Sequence, residues 1–141
     1  MLYSTSFALR VATPDGILLE EAVVGIRVPT PAGPFEVLAR HAPVVSSLEV
    51  GEARVSVGDN GAPSRRYLSV SGGVIEVRRD GVSVLADAAE WAEDIDADRA
   101  AESKRRAAER LRDPASNIDS ARAEAALARA LARLQVVSRV G

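Results

Sequence analysis

The chain has 141 residues, 47% of them hydrophobic and 27% charged, enough for one or two small domains with a modest core but not for a large enzyme with a deep cleft. It has no cysteine and a single histidine, His41, which excludes disulfides, thiolate metal sites and histidine-rich metal centres and fits a reducing, cytoplasmic compartment. The net charge of −2 divides unevenly: residues 1–96 hold eight arginines and fourteen acidic groups, and residues 97–141 hold ten Lys/Arg and six acidic groups. A basic tail after an acidic body suits an acidic protein surface or a polyphosphate. Nucleic acid is not expected, because the tail lacks aromatic residues and interleaves its cations with Glu and Asp. The opening MLYSTSFALRVATPDG lacks a basic start followed by a long apolar run, and no stretch nears the roughly 20 apolar residues that span a bilayer. Neither a signal peptide nor a membrane helix is expected, so any membrane association runs through another chain.

Up to about Asp87 the sequence reads as short β-branched runs separated by turn residues. The runs are FALRVAT, ILLE, AVVGIRV, FEVL, PVVSSLEV, ARVSV, RYLSV, GVIEV and VSVLAD, and the punctuation is PDG, PTPAG, GDNGAPS, SGG and RDG. Asp-Gly and Gly-Gly between such runs signal hairpins, because glycine accepts the positive φ of tight turns. Alternation such as Arg54 and Ser56 against Val55 and Val57 predicts half-buried antiparallel strands, hence a small sandwich or barrel over residues 1–87. Ser71-Gly72-Gly73 reads as a tight turn between YLSV and VIEV rather than a phosphate cradle, since no helix follows it.

From Asp96 the period changes, and residues 88–141 read as an antiparallel two-helix hairpin. Between Ala97 and Arg112 there is no Gly or Pro, and Ala100, Ala101, Ala107, Ala108 and Leu111 suit one helical face. DPASN, Asp113 to Asn117, breaks the helix, and a second begins near Ile118 with Leu127, Leu131 and Leu134 on one stripe. Mostly alanine faces imply weak packing: a buried methyl is worth about 0.8 kcal/mol against about 1.5–3 for a leucine or valine. Asp96 is placed to cap the first helix, which accounts for an aspartate but not for the arginine and alanine that follow it in IDADRA.

His41, without a second histidine or cysteine, is read as shaping a turn or forming an interface rather than as a ligand or base. Trp91, the sole tryptophan, is read as packing between sandwich and hairpin rather than stacking on a base. No serine, histidine and acid constellation assembles, so no catalytic residue is assigned. Tail arginines often form a solvated face with i to i+4 partners, such as Glu102 with Arg106 and Glu109 with Arg105 and Arg112. Here, however, Arg99 and Arg106 fall within about 20° of each other around the helix and Arg129 and Arg133 within about 40°. A reversal near Ala115 and Ser116 sets Arg99 opposite Arg129 and Arg133, so several guanidinium groups converge, and a polyanion would relieve their repulsion.

The succession VATPDGILLEEAVVGIRVPTPAGPFEVLARHAPVVSSLEVGEARV, LSVSGGVIEVRRDGVSVLADAAEWAEDID and RAAESKRRAAERL resembles the epsilon subunit of the bacterial F-type ATP synthase over nearly the whole chain. The most specific elements are His41-Ala42-Pro43 after FEVL and Ser71-Gly72-Gly73 leading into VIEV and VSVLAD. The chain departs from the family at Ala39, where a proline is common, and at Glu36, where a glycine is common. The resemblance implies a sandwich of about ten strands and a C-terminal helical hairpin. It further implies a non-catalytic rotor subunit on the cytoplasmic face of the plasma membrane. The sandwich would sit on the gamma shaft and the ring of c subunits, with His41, Ala42 and Pro43 at that interface. The hairpin would fold down, or extend into the head of alpha and beta subunits and block ATP hydrolysis. IDADRA is similar to an Ile/Leu-Asp-x-x-Arg-Ala motif that binds ATP in some members. That likeness places Glu90, Asp96 and Ala100 near an adenine and Arg99, Arg106, Arg129 and Arg133 near the phosphates. No cofactor is required on this reading, and ATP is a regulatory ligand. The alternatives from the residues alone are a free-standing nucleotide-sensing module and a sandwich adaptor.

Overall fold

The structure, a computed structural model, describes residues 6–58, 62–113 and 120–140. Among the described residues eight strands form: β1 (Phe7–Thr13), β2 (Gly16–Val23), β3 (Gly25–Thr30), β4 (Gly33–Val37), β5 (Val44–Val57), β6 (Ser64–Arg78), β7 (Gly81–Ala86) and β8 (Ala89–Trp91). A 3₁₀ turn, Ala92–Asp94, leads into the helices α1 (Ala97–Arg112) and α2 (Ser120–Val137). A mainly β sandwich followed by a helical hairpin is thus what the chain forms. The reversal expected near Ala115 and Ser116 lies outside the described residues.

The strands share one hydrogen-bonded sheet in the order β2-β1-β7-β6-β5-β3-β4, with β8 on β6. The sheet becomes a sandwich because β5 and β6 are long, at 14 and 15 residues, and each serves both layers. The later half of β6 pairs with β7, Gly73 opposite Ala86 through Arg78 opposite Gly81. Its earlier half pairs with β8, Leu68 opposite Trp91 through Val70 opposite Ala89. β5 follows β6 along nearly its whole length, Val44 opposite Val77 and Val57 opposite Ser64. The runs PVVSSLEV and ARVSV therefore fuse into β5, and RYLSV and GVIEV into β6.

Ser71-Gly72-Gly73 is accordingly not a hairpin turn but the corner where β6 passes from one layer to the other. Gly72 has φ 79° and Gly73 φ 121°. The Ser71 N–H donates to the Ala88 carbonyl at 2.9 Å and the Asp87 N–H to that of Gly72 at 3.2 Å, so the chain between β7 and β8 bends with β6. A Cβ on Gly73 would overlap the Leu85 carbonyl oxygen, and one on Gly72 would lie 2.6 Å from Asp87 Oδ2. A tight turn and a sheet corner both demand positive φ, and only the pairing of the flanking runs tells them apart.

Between the layers Leu9, Ile26, Val55, Leu68, Ile75 and Val84 are fully buried, each worth about 1.5–3 kcal/mol. Trp91 belongs to this core, and the Arg66 guanidinium covers its ring at 3.7 Å from the centroid while donating to Glu93 at 2.8 Å. That hydrogen bond holds the Glu93 carboxyl below its usual range.

α2 packs on β5 and β6, and α1 packs on α2. The leucine stripe of α2 is only partly covered: Leu131 is 46% exposed, and Leu127 and Leu134 are half-buried. The seam between the helices is alanine, with Ala100 and Ala107 on α1 and Ala123 and Ala130 on α2 all buried. Each pair is seven residues apart, so each forms one stripe, and small side chains let the axes approach closely. Ala132 and Val136 are buried too, because α2 has to serve the sheet as well as α1. Among the described residues no helix is long and apolar enough to cross a membrane.

The corner makes a direct prediction. Gly73→Ala should lower stability by at least about 1–3 kcal/mol, read as a fall in the urea midpoint, because both the positive φ and the Leu85 carbonyl oppose a Cβ. An unchanged midpoint would contradict the role assigned to Gly73.

Candidate functional site

The end of β8, the 3₁₀ turn and both helices meet around a cleft of about 340 Å³, lined by Glu90, Asp94, Ile95, Asp96, Arg99, Ala100, Ser103 and Arg133. That volume is within the range of small-ligand pockets. Five of the residues singled out in the sequence, Glu90, Asp96, Arg99, Ala100 and Arg133, thus come together from three separate segments.

Each is placed by local chemistry. Asp96 is the α1 N-cap, its Oδ1 accepting from the Arg99 N–H at 3.1 Å, an interaction worth about 1 kcal/mol. Ala100 is explained by packing, being buried in the alanine seam, where a larger side chain would part the helices. Arg99 has no such account: it lies in the first turn of α1, where the helix dipole disfavours a cation, and it faces the cleft. An anion there would offset that cost. Arg133 crosses from α2 to the sheet, its Nε donating to Glu90 Oε1 at 3.0 Å, with both side chains more than half buried.

The other two arginines do not line the cleft. Arg106 sits two turns beyond Arg99, about 10 Å along the axis, and its Nε donates to Glu102 at 3.3 Å. Arg129 is on the exposed side of α2. The i to i+4 network foreseen for α1 is present, with Arg105 binding both Glu102 and Glu109, but Arg112 donates to the Ala108 carbonyl rather than to Glu109. Two cleft residues escaped the sequence reading. Ser103 had a signal, being seven residues after Asp96 on the same helical face, whereas Asp94 had none, since only the 3₁₀ turn aims it.

Chemically, the cleft offers carboxylates that accept hydrogen bonds from amino or hydroxyl groups, and guanidinium groups that donate to phosphate oxygens. Among the described residues no three or more His, Asp or Glu side chains are grouped to hold a metal ion.

His41, Ala42 and Pro43 lie at the opposite end of β5, in the loop between β4 and β5. Arg40 adopts φ 66° there, His41 N–H donates to the Leu38 carbonyl at 3.3 Å, and the imidazole meets Phe35 edge-on at 5.3 Å. A proton on Nδ1 donates to the Ala42 carbonyl at 2.8 Å. The histidine therefore shapes its own turn, and it leaves Leu38 and Val45 beside it 55% and 62% exposed.

Comparison with known proteins gives a consistent result. The family described as ATP synthase, Delta/Epsilon chain, beta-sandwich domain matches residues 6–92, and the one described as ATP synthase, Delta/Epsilon chain, long alpha-helix domain matches 93–138. The ATP synthase epsilon chain of Bacillus cytotoxicus is 43% identical over 131 residues, 93% of this chain and 96% of that one. That of Symbiobacterium thermophilum is 45% identical over 129 residues, 91% and 90% of the two chains. In fold, the chain is similar to one in the Euglena gracilis mitochondrial ATP synthase (OSCP/F1/c-ring, rotational state 1), with a TM-score of 0.82 at 23% identity over 100% of this chain and 85% of that one.

The charge network on α1 generates a pH prediction. Hydrogen bonds from Arg105 and then Arg106 hold Glu102 down at about 2, against an ordinary 4.5. A depressed carboxyl contributes stability above its ordinary pKa and loses it as pH falls, so α1 should lose helicity between about 4.5 and 2. Carbon-detected NMR titration should find the Glu102 midpoint in that interval and find it moved back toward 4.5 in Arg105→Gln. An ordinary midpoint in the wild-type chain would refute the pairing in solution.

Proposed function

This chain belongs to the ATP synthase delta/epsilon-chain family as an epsilon subunit, and we propose that in the assembled rotary enzyme it is a non-catalytic central-stalk component whose hairpin restrains ATP hydrolysis and whose cleft takes ATP as the switch. On this reading the sandwich seats on the gamma subunit and the c ring, with the His41-Ala42-Pro43 loop and its exposed Leu38 and Val45 at that contact. The chain then lies at the cytoplasmic face of the plasma membrane, held there through the complex. The extended hairpin reaches the alpha and beta subunits of the head.

The observation that carries the switch is the cleft itself. Glu90 comes from the sheet, Asp96 and Arg99 from the start of α1 and Arg133 from α2, so the cleft exists only while the hairpin is closed. A ligand that needs all three segments stabilises the closed form by linkage, by about 2.7 kcal/mol at a hundred times its Kd. That equals the burial of about three alanine methyl groups, a large fraction of what an alanine seam supplies. Arg99 and Arg133 supply donors for phosphates, and Glu90 and Asp96 supply acceptors for the amino group and hydroxyls of a nucleoside. Arg106 and Arg129 join only if their side chains swing toward the bound phosphates.

Two measurements test this. Calorimetric titration of the full chain with ATP should give saturable binding, weakened about tenfold or more in Arg99→Ala and in Arg133→Ala, the size of a lost charge-assisted hydrogen bond. Absence of saturable heat below the millimolar range, or unchanged binding in both variants, would remove the nucleotide from the account. In the assembled enzyme, truncation after Asp94 keeps β8 and the 3₁₀ turn; hydrolysis should rise about fivefold or more while synthesis is spared. Equal hydrolysis with and without the hairpin would end the brake reading.

A further inference from the structure

The sheet face under α2 carries a row of three directly paired residues. Glu52 on β5 is opposite Ser69 on β6, and Ser69 is opposite Glu90 on β8, so all three point the same way. The two carboxylates are two strand spacings apart, about 10 Å, with the buried Ser69 between them. α2 meets each with an arginine: Arg133 takes Glu90, and Arg139, just past the helix end, takes Glu52. The second pair is bidentate, Nε to Oε2 at 2.9 Å and a terminal guanidinium nitrogen to Oε1 at 3.1 Å. Its guanidinium also lies 5.3 Å from the Tyr67 ring centroid, and Tyr67 is on the same strand face two residues before Ser69. Glu52 is only 17% exposed, so this carboxylate is largely withdrawn from water by the contact.

The backbone holds Arg139 in position. Its N–H donates to the Val136 carbonyl at 3.0 Å, Ser138 N–H to Leu134 at 3.2 Å and Val140 N–H to Val137 at 3.2 Å. The last turn of α2 is thereby finished by tight backbone bonds that aim the guanidinium back at the sheet. The hydrogen bonds it makes to Glu52, and then that carboxylate's charge, raise the Arg139 pKa further, so the guanidinium stays charged across the working pH range.

The two contacts differ in what they adjoin. Arg133 and Glu90 line the cleft, so anything bound there acts on them; Arg139, Glu52 and Tyr67 are not among its lining residues. On the reading above that the hairpin both docks and releases, we infer that the Arg139–Glu52 pair, packed on Tyr67, is a ligand-independent latch that fastens the C-terminal end of α2 to the sandwich and sets the resting balance between the two states. α1 makes its main contact with α2, so releasing α2 from the sheet frees the pair as a unit.

The test uses the full chain without nucleotide, so its outcome is independent of the nucleotide reading. The chain has no cysteine, so Ser47→Cys on the sandwich and Ala128→Cys on α2 give two unique spin-label positions for distance measurement by pulsed EPR. Arg139→Ala and Glu52→Ala should each raise the released population about three- to tenfold, and the double variant should do no more than either alone. The charge exchange Arg139→Glu with Glu52→Arg should restore most of the docked population. Far-ultraviolet circular dichroism at wild-type strength shows that each variant is folded. Unchanged distances in both single variants, additive effects in the double, or failure of the exchange to restore docking would each overturn the latch.

Discussion

The structure depends on a single steric constraint, the two glycines that let β6 turn a corner without ending. A side chain at Gly73 would meet the Leu85 carbonyl, and positive φ at both positions folds the sheet over itself instead of letting it run flat. Because Asp87 and Ala88 bend alongside, the chain leaving β7 pairs with the other half of β6 as β8. That returns Trp91 to the core and Glu90 to the face under the helices. Without the corner neither the cleft nor the acidic row would have its sheet side.

Two kinds of packing coexist. The sandwich interior is built from Leu, Ile and Val, each worth two to four times an alanine methyl. The helical pair is joined by alanines and held to the sheet by the buried Ala132 and Val136 together with two arginine contacts at the edges of α2. The first kind fills the space between the two layers of the sheet with aliphatic side chains. The two arginine contacts depend on charge and so respond to salt and competing anions, which leave aliphatic packing untouched.

Much of this was legible from the residues alone. The switch from a period of two to a period near 3.6 marked the change of architecture, and Asp96 declared the start of α1 through capping chemistry. The convergence of Arg99 and Arg133 followed from helical geometry and a reversal between the two helices. The remainder depended on long-range pairing. Gly72-Gly73 has the local chemistry of a turn whether or not the strand continues. Arg139 and Glu52, 87 positions apart, share no sequence signal at all. Arg106 pairs with Glu102 one helical turn away, the i to i+4 partner that its spacing names, and so stays off the cleft.

The parallel pairing of β1 with β7 has a consequence for biosynthesis. Leu9 is opposite Val82 and Ala12 opposite Leu85, so the first strand remains without its inner neighbour until about seventy further residues have been made. At about 5–20 residues per second that is a delay of several seconds, with an apolar strand exposed beyond its own hairpin with β2. The sheet closes late, and the helices, encoded last, arrive at a surface completed only moments before. Translation order therefore brings the basic hairpin to its acidic face almost as soon as that face has formed.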